Sequence, residues 1–473
     1  MALAFILASI AITLLCTLAN RRRGRTYLLM AVSVLAVYAL QPALPIRFLD
    51  FWLPTATLTL TACGWALTLP AAGQDWKRDR AAALLLVGIA VLIGLTRYLP
   101  VSLPLLPSRP PQMSLVGLGL VISALIVALL IRYGRQARLL PISAPIFILG
   151  MFIALKCPPV TRQVSLLLRA LNHQAIATAN PLDIRWLGFS YIAFRILHTL
   201  RDRQSGRLPT VSLAEYVTYV IFFPTLPAGP IDRLERFVVD LRRPAALTAA
   251  DWIAAGQRIV LGLFKKFAIA DSLALIALNA TNAWQVHAAG WMWMLVYAYA
   301  LQIYFDFSGY TDIAIGLGRL LGFHLPENFN APYLKPNLTQ FWNNWHMTLT
   351  QWFRAYFFNP LTRALRSAAR PLPVPVMIFL AQISTMLLIG LWHGMTWNFI
   401  LWGLWHGLGL FFHNRWSEWT RGRLAGLARP WQKALNFGGA VLTFHFVALG
   451  WVFFALPEPS ASWHVLLKLF GLA

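Results

Sequence analysis

The chain has 473 residues, of which 58% are hydrophobic and only 12% are charged. A soluble domain usually carries about twice this charged fraction, so the composition excludes an ordinary soluble protein and predicts a membrane protein. The formal charge of +24 lies in short basic blocks beside apolar runs, which is typical of cytoplasmic loops. It therefore indicates membrane topology and attraction to anionic lipid, and we expect no nucleic-acid partner.

Apolar runs follow one another along the whole chain and predict an all-α, polytopic fold. The first five cover residues 3–19, 27–40, 53–69, 81–95 and 115–131, and later runs are centred near Ile146, Ile192, Tyr219, Leu263, Val296, Leu388, Leu404 and Val447. A helix needs roughly 20 apolar residues to cross a bilayer. On that criterion we expect about ten to twelve transmembrane helices, together with re-entrant or interfacial helices.

The basic blocks also predict an orientation. If the block at 21–25 is cytoplasmic, alternating crossings place the blocks at 77–80 and 132–138 on the same side. The N-terminus is then extracytoplasmic. Residues 1–140 carry few polar residues at membrane depth and are predicted to form a scaffold of simple spans. Residues 141–473, with broken and polar spans from about residue 187, are predicted to form the functional core, because irregular backbone is tolerated only inside protein or beside a cavity.

The stretch "FFPTLPAGPIDRLERF" at residues 222–237 contains three prolines and a glycine within seven positions. Such a run cannot continue a helix. We expect a re-entrant or loop element followed by an amphipathic basic segment. An ordinary loop between helices is the alternative.

Two carboxylates interrupt the apolar stretch "LQIYFDFSGYTDIAIGLGRLLGF" at residues 301–323. A charge near mid-bilayer costs at least about 2.5 kcal/mol, so Asp306 and Asp312 are expected to face a partner or a wet cavity. Helical spacing pairs Asp306 with Tyr310, and Ser308 with Asp312. Arg319 and Arg195 are the predicted counter-charges. A buried polar network that only holds helices together is the alternative.

Residues 337–358 have helical periodicity and predict an amphipathic helix that lies along the membrane or dips into it. His346 and Arg354 lie beside its apolar stripe, which consists of Phe341, Trp345, Leu349, Trp352 and Tyr356. Tryptophan alone would indicate no more than interfacial anchoring.

The stretch "GLWHGMTWNFILWGLWHG" at residues 390–407 contains two histidines and no charged residue. On a continuous helix over 391–412, His393 and His406 lie about 140° apart and cannot share one pocket unless the helix breaks. One is then functional, and the other is structural or interfacial. The sequence lacks the spacing of a metal site, so we expect no metal. A neutral histidine in a dry site can accept a proton from a hydroxyl, although a satisfied core histidine is the alternative.

Four ordered motifs, "FFPTLPAGPIDR", "YFDFSGYTDIAIGLGRLLGF", "PENFNAPYLKPNLTQFWNNWHMTLTQWFR" and "LWHGMTWNFILWGLWHG", lie between residues 187 and 454. Together they resemble the membrane-bound O-acyltransferase family, in its bacterial branch of alginate O-acetyltransferases and D-alanyl transfer proteins. The resemblance implies a ring of helices around a thinned centre, where a funnel and a tunnel meet. It implies that His393 is the catalytic histidine and that His346 is the second histidine of this branch.

The resemblance further implies an enzyme of a bacterial inner membrane that moves an acyl group to the hydroxyls of an extracytoplasmic polysaccharide or envelope glycan. Acetyl is the expected group, and D-alanyl transfer from a carrier protein is the alternative. The donor is a cytoplasmic thioester, acetyl-CoA or an acyl carrier protein, with no tightly bound cofactor. A separate extracytoplasmic acyltransferase is the expected protein partner. We expect substrate contacts from Asn343, Asn344, Trp345, Trp392, Asp306, Ser308 and Tyr310.

Two other functional classes remain at this point. A transporter or lipid flippase would place Asp306, Asp312 and Arg319 along a translocation path, but it often shows two related halves, which this sequence lacks. A purely structural membrane subunit is the other. Neither class is favoured by the four motifs.

Overall fold

The fold is known from a computed structural model that describes residues 3–18, 24–70, 76–99, 106–134, 140–244, 246–370, 372–424 and 427–472. Every regular element within these ranges is a helix, so the predicted all-α class is confirmed. Contacts divide the chain into two compact units. The first contains Met1–Gln257 and Ala314–Leu325, and the second contains Arg258–Ile313 and Pro326–Ala473.

The helices of the N-terminal half begin with five that follow the predicted apolar runs closely. They are α1 (Leu3–Leu18), α2 (Arg25–Leu40), α3 (Leu49–Thr68), α4 (Trp76–Leu95) and α5 (Met113–Tyr133). The next six are α6 (Leu140–Lys156), α7 (Pro158–Leu171), α8 (Phe189–Gln204), α9 (Leu213–Val220), α10 (Leu234–Arg242) and α11 (Ala249–Leu263).

The helices of the C-terminal half are more varied in length. They are α12 (Asp271–Ala274), α13 (Asn282–Gln285), α14 (Ala289–Leu320), α15 (Leu338–Asn344), α16 (Met347–Phe353), α17 (Asn359–Arg366), α18 (Val374–His393), α19 (Trp397–Leu424), α20 (Arg429–Ala455) and α21 (Pro459–Leu469). Two wider turns of π-helix, Phe264–Ala270 and Arg354–Phe358, extend α11 and α16. Such turns are frequent at functional sites.

Membrane-spanning length is reached by only some of these helices. Within the described ranges, α4, α5, α18 and α20 are long and apolar enough to cross a bilayer, and α6 with α7 form a fifth candidate that is bent by 89°. The apolar helices α1 and α2 have only 16 residues each. Many of the predicted runs form helices that are short, bent or polar, and length and composition alone do not identify these as spans. The number of ten to twelve crossings therefore stays a prediction.

The proline-rich stretch forms a loop, as predicted. A single 3₁₀ turn, Phe223–Thr225, is followed by irregular backbone and then by α10, whose buried face consists of Leu234, Phe237, Val238 and Leu241. The guanidinium of Arg195 on α8 donates to the carbonyl of Val220 at 2.8 Å and to the hydroxyl of Thr225 at 2.7 Å. This arginine therefore holds the loop of its own unit.

A glycine contact brings α11 and α14 together in the second unit. A Cβ added at Gly262 would lie 2.6 Å from the carbonyl oxygen of Gly309, and one added at Gly309 would lie 2.9 Å from the backbone nitrogen of Lys266. Real Cβ atoms do not approach backbone so closely, so neither residue can carry a side chain without a shift of a helix. The contact fixes the register of the two helices.

We expect the substitution Gly262→Ala to lower the thermal stability of the purified protein, since overpacking of a tight contact costs typically 1–3 kcal/mol. Gly256→Ala is the matched control: it lies on the same helix with no atom near the added Cβ, and it should leave stability equal or slightly higher. Melting curves in one detergent compare the two. Equal melting temperatures for both variants would contradict the close contact.

Candidate active site

A break between α18 and α19 positions His393. Helix α18 ends at His393, Gly394 is extended with φ −177°, and α19 begins at Trp397. The continuous helix considered for residues 391–412 is therefore wrong, and the 140° separation of His393 and His406 no longer applies. The two helices can fold back on each other because glycine lies at the contact: a Cβ at Gly403 would be 2.7 Å from the carbonyl of Met386.

His393 lies half-buried at the end of α18 within an aromatic wall. Its ring centroid lies 4.6 Å from that of Trp392, 4.8 Å from that of Phe454 and 5.6 Å from that of Trp402. Aromatic rings therefore form much of the immediate surroundings of this imidazole, while part of its surface stays exposed.

His346 lies at a second break, between α15 and α16. Its backbone is left-handed, with φ 42°, a conformation that costs a residue other than glycine roughly 1–2 kcal/mol. The prediction of a single amphipathic helix over residues 337–358 is therefore wrong, because the segment is broken at His346. The turn is held by tertiary contacts, since the N–H of Met347 donates to the carbonyl of Asn328 at 2.9 Å. Strain of this kind is concentrated at functional sites.

Asn328 determines which nitrogen of His346 carries the proton. Its side-chain oxygen accepts from the backbone N–H of Thr348 at 3.2 Å and lies 3.0 Å from Nδ1 of His346. Because this oxygen can only accept, Nδ1 must donate, and Nε2 of the neutral ring carries the lone pair. Nε2 is buried and makes no hydrogen bond within the described chain. A proton-accepting nitrogen is thus left available.

Trp392 and Phe307 link the two histidines to a third motif. The ring of Trp392 lies 4.6 Å from that of His393 and 6.3 Å from that of His346. The ring of Phe307 meets His346 edge-on at 4.7 Å. Phe307 stands between Asp306 and Ser308 on α14, so the three motifs predicted from the sequence meet in one region of the second unit.

The carboxylates of α14 have counter-charges that differ from those predicted. Lys266 forms an ion pair with Asp306, and Lys265 forms one with Asp312 at 2.7 Å. Arg258 also approaches Asp312, at 3.5 Å. All three cations come from α11 and its π turn, which the tight glycine contact holds against α14.

The predicted counter-charges are therefore wrong. Arg319 pairs instead with Asp251 at 3.2 Å, and Arg195 holds the proline-rich loop. The predicted bond between Ser308 and Asp312 is also wrong, since the Ser308 hydroxyl is buried without a hydrogen bond among the described residues. Tyr310 is buried on the same helix.

Of the residues predicted to contact substrate, Asn343 and Asn344 have exposed surface, whereas Trp345 lies in the core. Asn343 is exposed and accepts from Arg354 at 2.5 Å. Asn344 is half-buried and donates to the carbonyl of Gln340 at 2.7 Å, while its own carbonyl accepts from Asn330. Trp345 is buried, with only 4% of its surface exposed, and stacks on Phe341. Its visible contacts are those of the core.

A small pocket of about 180 Å³ opens beside Asn343 and Arg354. Its wall on α18 includes Gln382, Thr385 and Ile389, and Ile389 lies one helical turn before His393. The side-chain oxygen of Gln382 is buried without a hydrogen bond in the described part of the chain. The pocket therefore offers amide, hydroxyl and guanidinium groups close to the histidine-bearing end of α18.

His406 is fully buried and belongs to the packing around Trp402. Its ring lies 5.0 Å from that of Trp402 and 5.2 Å from that of Trp342, and neither nitrogen makes a hydrogen bond within the described residues. It is therefore enclosed by protein, not placed at the lipid interface. Trp402 contacts both His393 and His406, so His406 supports the wall of the site.

Two residues that contact His346 were missed from the sequence: Asn328 and Phe307. Both lie inside motifs quoted above, Asn328 in "PENFNAPYL" and Phe307 in "YFDFSGY". An asparagine in a loop-like stretch and a phenylalanine in an apolar helix carry no local signal of their role. Only the fold brings them to His346.

Comparison with known proteins matches residues 114–456 to the family described as MBOAT, membrane-bound O-acyltransferase family. The chain is 35% identical over 286 residues to the probable alginate O-acetylase of Azotobacter vinelandii, covering 60% of this chain and 54% of that protein. It is 31% identical over 290 residues to the teichoic acid D-alanyltransferase of Streptococcus thermophilus, covering 58% and 68%.

A third relative is the peptidoglycan O-acetyltransferase of Helicobacter pylori, 36% identical over 264 residues, which cover 54% of this chain and 47% of that protein. The chain thus spans about half the length of the alginate and peptidoglycan relatives. The family model covers more than half of the chain and includes both histidine breaks. The resemblance seen in the four motifs is confirmed, and the chain belongs to the membrane-bound O-acyltransferase family.

Proposed function

We propose that this protein is an O-acyltransferase that moves an acyl group from a cytoplasmic thioester to hydroxyls of an extracytoplasmic polysaccharide or envelope glycan. The observation that carries the proposal is that His393 and His346, each at a helix break, both lie beside Trp392, at 4.6 Å and 6.3 Å between ring centroids. Family membership supports the reaction class, and the names of the relatives support a glycan acceptor.

In the proposed reaction His393 acts as a general base. It takes the proton of a sugar hydroxyl, whose oxygen attacks the carbonyl carbon of the thioester and forms the new ester bond. The carbon–sulfur bond then breaks, and the imidazolium returns its proton to the leaving thiolate. General bases of this kind contribute typically 10²–10⁴-fold, and holding both reactants in one site supplies a further part of the acceleration.

His346 is proposed to orient one of the reacting groups. Because Asn328 accepts from its Nδ1–H, the neutral ring offers Nε2 as an acceptor. An acceptor at this point can hold a hydroxyl or thiol hydrogen, whereas stabilisation of an oxyanion requires a donor. Side-chain amides such as those of Asn343 and Asn344 are the proposed donors. The rest of the proposed substrate site is lined by Trp392, Asp306, Ser308 and Tyr310. We propose that the pocket beside Arg354 binds part of the acyl donor.

Acetyl is the proposed acyl group, and D-alanyl is the second candidate. The latter is favoured by the teichoic acid D-alanyltransferases of Streptococcus thermophilus and Bacillus subtilis, which are matched over 68% and 69% of their length. The donor would be acetyl-CoA in the first case and a D-alanyl carrier protein in the second. We place the protein in the inner membrane with an extracytoplasmic N-terminus and a separate extracytoplasmic acyltransferase as partner.

The test compares envelope and secreted glycans from a deletion strain and its parent by mass spectrometry. The mass lost per sugar residue identifies acetyl or alanyl directly, and complementation with the wild-type gene should restore it. Loss of acyl groups with normal glycan export supports an enzyme. Unchanged acylation with impaired export would contradict the proposal and favour a transporter.

A further inference from the structure

The first unit contains a large groove that the acyl-transfer chemistry does not use. It has a volume of about 740 Å³ and is formed by α3, α4 and α5. Its wall is apolar and rich in small side chains, which include Ala62, Ala83, Ala90, Ala124 and Ala128. A cavity of this size is within the range that binds small molecules.

The hydroxyl groups in the wall already have hydrogen-bond partners within the protein. The hydroxyl of Thr59 donates to that of Ser123 at 3.0 Å, and the Ser123 hydroxyl donates to the carbonyl of Gly119 at 2.8 Å. Thr55 shares a hydrogen bond of 2.9 Å with Tyr38. These groups require no hydrogen bond from an occupant, so the groove accepts an apolar chain.

The groove is open on the side of α5. This helix is a membrane-spanning candidate, and only 6% of its apolar window is buried by protein. Ala124 and Ala128 line the groove and are themselves exposed, as is Val87 on α4. At membrane depth no water is available to fill such an opening, so the neighbouring medium is lipid hydrocarbon.

The length and the end of the groove define which lipid fits. Its wall follows α5 from Leu120 to Arg132, which is about 18 Å at a rise of 1.5 Å per residue. One leaflet of a bilayer core is roughly 15 Å thick. Arg132 lines the far end, and its guanidinium lies 5.3 Å from the ring of Tyr133. Arginine and tyrosine together mark the level of the lipid head groups.

We propose that this groove is a binding site for an anionic glycerophospholipid. One acyl chain lies between α4 and α5, and the phosphate of the head group binds the guanidinium of Arg132. The basic block that begins at Arg132 is predicted to be cytoplasmic, so the lipid belongs to the cytoplasmic leaflet, where anionic lipids attract basic residues. The site is independent of the histidines and of the proposed acyl transfer.

The experiment titrates the purified full chain in detergent with phosphatidylglycerol or phosphatidylcholine and counts retained lipids by native mass spectrometry. Ala124→Phe fills the groove, and Ile126→Phe is its control, since Ile126 lies on the opposite side of α5 and does not line the groove. Arg132→Gln removes the charge. Arg201→Gln, at an exposed arginine of α8, controls for the change in net charge.

We expect the wild type to retain one phospholipid with a preference for phosphatidylglycerol. Ala124→Phe should abolish this retention and Ile126→Phe should keep it. Arg132→Gln should reduce the preference about fivefold, the effect of roughly one basic side chain near an anionic head group, while Arg201→Gln leaves it unchanged. Circular dichroism confirms that each variant is folded.

Equal retention by Ala124→Phe and Ile126→Phe would overturn the site. An unchanged head-group preference in Arg132→Gln would overturn the role of the arginine. Equal retention of phosphatidylcholine and phosphatidylglycerol by the wild type would overturn the assignment of an anionic occupant. None of these results depends on acyltransferase activity.

Discussion

Replacing His393 with alanine is expected to reduce glycan acylation by at least about 100-fold, because it removes the proposed general base and such groups contribute typically 10²–10⁴-fold. The loss should fall on kcat, since the ring acts on a proton that moves in the transition state. Ester content of the glycan, measured in a deletion strain that carries the variant, provides the readout.

The control is His287→Ala, which removes an exposed histidine outside the candidate site. Membrane level and melting temperature of both variants must equal those of the wild type. His393 packs against Trp392, Trp402 and Phe454, so His393→Gln serves as a second variant that retains more of the side-chain volume. Wild-type acylation in a folded His393→Ala or His393→Gln protein would remove the mechanism.

The second large effect is expected at His346. We predict that His346→Ala reduces acylation about 100-fold, since a misplaced reactant alone can cost about 10²-fold. Asn328→Leu should give a smaller loss, roughly tenfold, because it leaves the ring in place but frees both tautomers. Asn328 is therefore a positioning residue that acts through His346.

A structural role would predict a different pattern. Asn328 also binds Thr348 and the turn at Met347, so Asn328→Leu must be compared with wild type by melting temperature and by the pH dependence of acylation. If Asn328→Leu frees both tautomers of His346, the pH dependence of acylation should change while the protein still folds. Loss of stability with an unchanged profile in the remaining active protein would contradict the assigned role of Asn328.

Much of the fold follows from local sequence. Helices α1 to α5 match the predicted apolar runs closely, because a long uninterrupted run of apolar residues has only one way to satisfy its backbone in lipid. The proline-rich loop was predicted for a similar reason, since proline cannot continue a helix. These features depend on neighbours in the chain, so the chain alone is sufficient to predict them.

The two breaks at the histidines were not predicted as they occur. Residues 337–358 and 391–412 both have helical periodicity, and nothing local requires an interruption at either histidine. The first break depends on hydrogen bonds that Asn328 accepts, and the second on glycines that let α18 and α19 pack closely. Tertiary contacts overrode helix propensity at both places.

The ion pairs of α14 also depend on tertiary contacts that local sequence does not reveal. Arg319 lies near Asp306 and Asp312 in the sequence, but the structure pairs these carboxylates with Lys266 and Lys265. Those lysines lie in a run that was treated only as a predicted span. Which charge meets which depends on helix register, and here the register is fixed by the contact between Gly262 and Gly309.

Sequence by itself determined that this is a helical membrane protein of the acyltransferase family and which two histidines merit a test, because hydropathy and ordered motifs are properties of the chain. Only the tertiary structure decided the tautomer of His346, the partners of the α14 carboxylates and the enclosure of His406. Each of these depends on atoms that are distant in sequence and adjacent in space, where a hydrogen bond or an ion pair acts only over a few ångströms.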